Sequence, residues 1–219
     1  MALRLESIEY VHDGAPVLAG VDLEVADGEA VAVLGPSRPA KAALLAMAGL
    51  LVRPASGTVA IDGAPLEAGT PEAEVVRHYA IAWISQAAGL SLDRAVLDNV
   101  AAPLLVDGFP ADVAVEPSLD ALSSVGLRWA AHLPAASLAP GERRRVAVAR
   151  ALVRRPRLVL AHDPTGGLDG PSAVVVVTRL LHDLEARRTS ALVVTEDAAV
   201  ASTCHRVHEL RDGRLAAVR

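Results

Sequence analysis

Apolar and polar residues alternate in short runs near the start of the chain, at about Leu3 to Tyr10, Val21 to Val25 and Thr58 to Ile61, with Asp27-Gly28 and Asp62-Gly63 as punctuation. Alternation at period two puts successive side chains on opposite faces of a strand, and Asp-Gly favours tight turns. These runs predict an antiparallel patch. Ala30 to Leu34 is apolar throughout, as a strand buried on both faces should be. It leads into a loop, Gly35 to Ala40, and then a helix over Lys41 to Leu50. Ala80 to Ile84 predicts a second buried strand. The stretch Arg94 to Leu138 reads as mostly helical, broken by Pro103, Pro110, Pro117 and Pro134, and forms a candidate helical subdomain (94–138) inside a single domain spanning 1–219. Beyond Gly141 the pattern is helix to Arg154, strand Leu158 to Ala161, helix Ser172 to Arg187 and strand Ala191 to Thr195. A short helix and a hairpin at Asp212-Gly213 close the chain. Helix alternating with strand predicts an α/β fold with a mostly parallel sheet flanked by helices.

Composition narrows the function classes. The 219 residues are 52% hydrophobic but 2% aromatic, so Ala, Val and Leu must fill the core. A formal net charge of −5 argues against a domain that binds by neutralising nucleic-acid phosphates. On such a chain the cluster Arg143, Arg144, Arg145, Arg150, Arg154, Arg155 and Arg157 is expected to be the solvated face of a helix. The one cysteine, Cys204, excludes an internal disulfide and fits a reducing compartment. No apolar run approaches the roughly 18 residues of a membrane span, and the first residues lack a secretory layout, so a membrane role would require a partner. Cys204, His205 and His208 lie close in sequence without an evident fourth ligand, and no metal site is expected there.

Candidate chemistry begins at VAVLGPSRPAKAALL. A buried strand, a Gly-opened loop, a lysine and a helix start are the layout of a phosphate-cradling loop. The pattern G-x-x-x-x-G-K-[ST] is met at Gly35 and Lys41 and fails at Ala40 and Ala42. Further on, LAPGERRRVAVARALVRRPRLVLAHDPTGGLDGPS resembles the signature helix and Walker B region of ABC ATPases, where LSGGEQQRVAIARAL and LLLADEPT are typical. Tyr10 then falls at the adenine-stacking aromatic, Gln86 at the Q-loop, Asp169 at the D-loop, and VVTED at the usual VVTHD switch. The resemblance covers essentially the whole chain and is closest to export or lipoprotein-release subunits. It implies the ABC ATPase fold, with an N-terminal antiparallel β patch and an inserted helical subdomain.

The resemblance also implies a role at each site position. Gly35, Pro36, Ser37, Arg38, Pro39, Ala40, Lys41, Ala42 and Ala43 would form the phosphate loop, with Tyr10 and Gln86 completing the nucleotide site. Pro39 lacks an N–H, Ala40 adds a methyl where the backbone approaches phosphate, and Ala42 lacks the hydroxyl that holds Mg²⁺. Lys41 is left as a lone point charge, with Arg38 as a possible compensating cation. His162 replaces the Walker B aspartate, Asp163 takes the catalytic glutamate position one methylene short, and Glu196 puts an anion where the switch histidine should meet the γ-phosphate. The signature reads Leu138, Ala139, Pro140, Gly141, Glu142, where Ala139 and Pro140 lack a hydroxyl and an N–H. The expectation is weak or absent ATP binding, impaired Mg²⁺ binding and a structural or regulatory role. Such a subunit would sit peripherally on the cytoplasmic face of the cell membrane. Its partners would be a transmembrane permease, contacted through Ser91 to Val100, and a second cassette subunit in a homodimer or heterodimer. Two alternatives stay open: a slow but active ATPase working with an intact partner, and a soluble interaction protein without a permease.

Overall fold

Asp-Gly turns set the first sheet. The computed structural model describes residues 2–218 apart from 37, 86, 167 and 169, with the backbone alone at 38, 171, 172 and 175. Strands β1 (Leu3–His12) and β2 (Ala15–Val25) meet at Asp13-Gly14, with φ of 49° and 77°. Strands β4 (Ser56–Ile61) and β5 (Ala64–Pro65) meet at Asp62-Gly63, with φ of 50° and 81°. Two consecutive positive φ values suit the twist of a two-residue hairpin. The sheet is antiparallel, in the order β2-β1-β4-β5.

The second sheet has the order β10-β9-β3-β8-β7-β6. Its members are β3 (Ala30–Leu34), β6 (Ile81–Ile84), β7 (Leu158–His162), β8 (Ser190–Thr195), β9 (Arg206–Arg211) and β10 (Arg214–Ala217). All neighbours run parallel except β10, which pairs antiparallel with β9 at the edge. Both faces are covered, so the central strands are apolar at nearly every position. Ala30, Ala32, Val159, Ala161, Ala191 and Val193 join a core with the helices α3 (Val96–Val106), α4 (Ala111–Ser124), α5 (Pro140–Leu152), α6 (Gly170–Ala186) and α7 (Ala198–Ser202). Their alternates Val31, Val33, Leu158, Leu160, Leu192 and Val194 face α1 (Arg38–Ala48) and the antiparallel sheet.

The elements differ most from the sequence expectation in three places. Helix α1 starts at Arg38 rather than Lys41, so Pro39 and Ala40 lie in its first turn. Proline's fixed φ suits a first turn, where its missing N–H would have no intrahelical partner, and alanine favours helix where glycine would resist it. Strand β2 begins at Ala15 rather than Val21. Helix α2 (Pro71–Tyr79), which the hydrophobic pattern did not reveal, is capped by Thr70, whose side chain accepts from the Ala73 N–H at 3.3 Å. At Gly49 a Cβ would stand 2.0 Å from the Trp83 ring, so only glycine lets α1 end flush against β6.

Candidate functional site

Adjacent strands deliver the candidate groups to one edge of the parallel sheet. Leu34 pairs with Thr195 and His162 with Val194, so the carboxyl ends of β3, β8 and β7 lie side by side. Gly35, Asp163 and Glu196 are the next residues along these strands. The crevice beyond such strand ends is where α/β sheets bind ligands. Gly35 is required sterically, because a Cβ there would meet the Leu210 carbonyl at 2.5 Å. Its N–H donates to the Thr195 carbonyl at 3.3 Å, so it is already engaged. Pro36 and Pro39 have no N–H to offer. Ser37 lies outside the described residues, as does the side chain of Arg38.

Lys41 is not the isolated charge that the sequence suggested. Its side chain is 0% exposed, and its Nζ lies 3.1 Å from Glu196 Oε1. The carboxylate at the switch position therefore holds the lysine of the phosphate loop. The Glu196 N–H in turn donates to Asp163 Oδ1 at 3.2 Å. Asp163 takes a left-handed backbone with φ of 41°, and its N–H bonds the Val194 carbonyl at 2.8 Å, which pins it to the end of β8. His162 Nε2 is 3.7 Å from Asp163 Oδ2, and the two side chains are 29% and 15% exposed. Lys41, Glu196, Asp163 and His162 thus form one connected cluster, although Lys41 and Glu196 are separated by 155 positions. Mg²⁺ prefers several oxygen ligands. Ala42 and His162 supply none, and the carboxylates of Asp163 and Glu196 already bind within the cluster.

Beside α1, a groove of about 300 Å³ is lined by Tyr10, His12, Val17, Pro39, Ala42 and Ala43, among others. The rings of Tyr10 and His12 stack at 6.3 Å between centroids and 19° between planes. The fold therefore brings Tyr10 to the first turn of α1, against Ala42 and Ala43, where a flat apolar group could lie. Gln86 and Asp169 fall outside the described residues.

The signature residues stand apart from this cluster at the amino end of α5. Leu138 is buried, and Ala139 precedes a helix whose first residue is Pro140, a position where the missing N–H costs nothing. Glu142 reaches back so that its Oε2 accepts from the Ala139 N–H at 2.9 Å, and Gly141 packs near Leu168. No hydrogen bond or ion pair joins Leu138, Ala139, Pro140, Gly141 or Glu142 to Lys41 among the described residues.

Nor are the arginines of α5 a solvated face. Arg143 donates to the Ala136 carbonyl at 2.7 Å, Arg145 to Val125 at 3.0 Å, and Arg144 to Ser85 at 3.1 Å and Gly166 at 2.5 Å. Arg150 donates to the carbonyls of Gly89 and Ala88 at 2.6 and 2.7 Å. Burial depresses the pKa of Arg144 and of Arg150 below the ordinary arginine value. Just past the helix, Arg154 takes Asp107 through two donors at 2.7 and 2.6 Å and the Pro103 carbonyl at 2.8 Å. Asp107 also meets His78 Nε2 at 2.6 Å. These guanidiniums staple α5 to the chain on either side of it, and periodicity alone could not reveal that. In the other cluster, His205 Nδ1 accepts from the Ala30 N–H at 3.0 Å and Cys204 is buried.

The architecture and the strand–loop–helix crevice define the nucleotide-binding-cassette class. The family profile described as "ABC transporter" matches residues 18–166, more than half the chain, so the chain belongs to the ABC transporter family as an ATP-binding subunit. It is 39% identical over 201 residues to the lipoprotein-releasing system ATP-binding protein LolD of Xanthomonas axonopodis pv. citri, covering 91% of this chain and 82% of that one. It is 37% identical over 218 residues to LolD 2 of Caulobacter vibrioides, covering 98% and 96%. Among solved structures, the dimeric ATP-binding cassette MJ0796 bound to ADP and Pi matches with a TM-score of 0.84 at 28% identity, over 99% of each chain.

Proposed function

We propose that this chain is the ATP-binding-cassette subunit of a membrane transporter of lipoprotein-release or export type, and that it binds MgATP weakly or not at all. It docks on a permease at the cytoplasmic face of the cell membrane, pairs with a second copy or another cassette subunit, and contributes structurally or by regulation. Residues 94–138 act as its helical subdomain, with Ser91 to Val100 towards the permease. No helix among the described residues is long and apolar enough to cross a membrane.

The observation that carries the reading is the Lys41–Glu196 pair at 3.1 Å. In a phosphate loop the lysine reaches the β- and γ-phosphates, and here its charge is already answered by a carboxylate of the same chain. An incoming triphosphate must displace that carboxylate or lie beside it. A hydrogen bond between charged groups is worth about 1.5–3 kcal/mol, so the competition alone lowers affinity by about tenfold or more. The prolines, Ala42 and His162 remove further donors and metal ligands. Equilibrium titration with ATP, with and without Mg²⁺, tests this: weak binding that ignores the metal is expected, and tight Mg²⁺-dependent binding would overturn it.

A second reading, a slow ATPase completed by an intact partner, is favoured by Asp163, which keeps a carboxylate within the cluster. Steady-state turnover by the reconstituted complex that disappears on Lys41→Ala would establish it.

A further inference from the structure

The end of the sheet opposite Lys41 carries a different concentration of charge. A cavity of about 850 Å³ opens beneath the amino ends of β7 and β8, and its wall includes Arg155, Arg157, Arg187 and Arg188. The central strands are five or six residues long, so at roughly 3.3 Å per residue the cavity and the Lys41 cluster lie about 15–20 Å apart. We propose that this cavity binds a phosphate-bearing polyanion, independently of the nucleotide crevice.

Unused donors give the first argument. The arginines along α5 each hold a carbonyl or carboxylate of the protein. Among the described residues, Arg155 and Arg188 make no side-chain hydrogen bond or ion pair, and Arg187 acts at a distance on the buried Asp183. Arg157 reaches Asp62 at 3.3 Å through two largely exposed side chains, a contact worth little. Three carboxylates also line the wall, those of Asp27, Glu116 and Asp120. Of these, Glu116 and Asp120 lie 4.0 and 3.9 Å from Arg128. Among the described residues, Glu116 and Asp120 are paired with neither Arg155 nor Arg188, while Asp27 feels the charge of Arg157.

Backbone geometry gives the second. Arg155 and Arg188 both sit in the left-handed region, at φ of 53° and 54°, where glycine or asparagine is at ease and a long side chain is strained. Each follows a helix end, α5 for one and α6 for the other, and both side chains reach the same cavity. Leu50 ends α1 in the same way at φ 57°, so the left-handed cap is a helix stop, and its effect here is to bring two arginines from separate segments to one concavity. Guanidinium forks approaching from two separate segments suit a ligand with charge spread over several oxygens, as in linked phosphoryl groups, better than a single carboxylate.

Calorimetry with inorganic pyrophosphate tests the proposal on the full chain. One site is expected, weakened about tenfold or more by Arg155→Gly and again by Arg188→Gly, and further weakened by salt. Glycine removes the guanidinium while fitting the left-handed backbone, so both variants should fold as stably as the parent. Arg188→Lys should retain part of the affinity, and Lys41→Ala should leave it unchanged. Absence of binding at millimolar pyrophosphate, binding indifferent to both glycine variants, or binding abolished by Lys41→Ala would each overturn it. The last result would move the anion to the nucleotide loop. Flotation with phosphatidylglycerol vesicles separates the sources. Flotation that pyrophosphate reverses and Arg188→Gly abolishes makes the ligand a lipid headgroup, and pyrophosphate binding without flotation makes it a free anion.

Discussion

Two regions rich in charge treat their side chains in opposite ways. Along α5 and just past it, each of five arginines from Arg143 to Arg154 ends on a named acceptor, and Arg154 locks the nearly buried Asp107 between α3 and α5. At the carboxyl edge of the sheet, Lys41 and Glu196 answer each other, and Asp163 bonds to a neighbouring backbone N–H. One region spends its charge holding the helical layer to the strands, and the other cancels its charge where a ligand would need it. The two regions draw on different residues, so a change at the strand edge need not loosen a single staple.

The largest effect should come from breaking the joint. Arg154→Ala leaves Asp107, whose side chain is 6% exposed, with His78 as its remaining partner. Removing one partner of a buried pair costs about 3–5 kcal/mol, and His78 should hold the loss near the lower figure. Urea denaturation with an unchanged m-value would measure it. At the other region the two halves of the pair should behave unequally. Glu196→Ala strands Lys41 in a fully buried position and should cost about 1–2 kcal/mol, less than the joint because Glu196 is half exposed. Lys41→Met replaces the buried charge with an apolar side chain, and Glu196 is already half exposed, so stability should stay within about 1 kcal/mol of the parent. Equal losses in both variants would mean that the pair contributes as a unit to folding, and the contrast with α5 would fail.

Smaller still in stability, but larger in binding, is the rebuilding of the loop. The combined change Arg38→Gly, Pro39→Ser, Ala40→Gly and Ala42→Ser should unwind the first turn of α1, since glycine costs a helix about 1 kcal/mol relative to alanine. ATP affinity should rise about tenfold or more as N–H groups and a hydroxyl return. Hydrolysis should not rise with it, because His162 and Glu196 remain. Isothermal titration and a phosphate-release assay on the same preparation separate the two outcomes.

Legibility in the sequence follows the range of the interaction. The parallel strands were readable because burial on both faces leaves an unbroken apolar run, as at Ala30 to Leu34. The full length of β2 was missed although Asp13-Gly14 carries the same turn signal as Asp62-Gly63, and α2 was missed although Thr70-Pro71-Glu72 spells a capped helix start. Those signals were present and local. The early start of α1 is local too: a loop pattern was read across Arg38 to Ala40, where proline and alanine favour the first turn of a helix. The Lys41–Glu196 pair and the α5 staples were not legible at all. They depend on which strand ends and which carbonyls the tertiary fold brings together, and the spacing of charges along one helix is silent on that. Motif comparison names Lys41 and Glu196 as candidates, but it is silent on the bond between them.

Cys204 offers a reporter that belongs to neither region. It is packed in the core that α3 to α7 share with the parallel sheet, and burial pushes its thiol pKa up from 9.0 to about 11. Because the folded value lies above the unfolded one, the associated stability is complete below about pH 9 and falls as pH rises towards 11, by at most about 1.4 kcal/mol per pH unit. At pH 8 iodoacetamide should therefore label Cys204 only through opening of the surrounding core, since both burial and the scarcity of thiolate protect it. Glu196→Ala alters the strand edge locally and should raise the labelling rate only in proportion to the global stability lost. If Arg154→Ala loosens the helical layer as a separate unit, labelling should lag behind its loss of stability, because Cys204 lies just past α7 and its N–H bonds the Ala201 carbonyl at 3.1 Å. Labelling that tracks the full loss in both variants would show a single cooperative core, in which the joint and the nucleotide edge are not mechanically distinct.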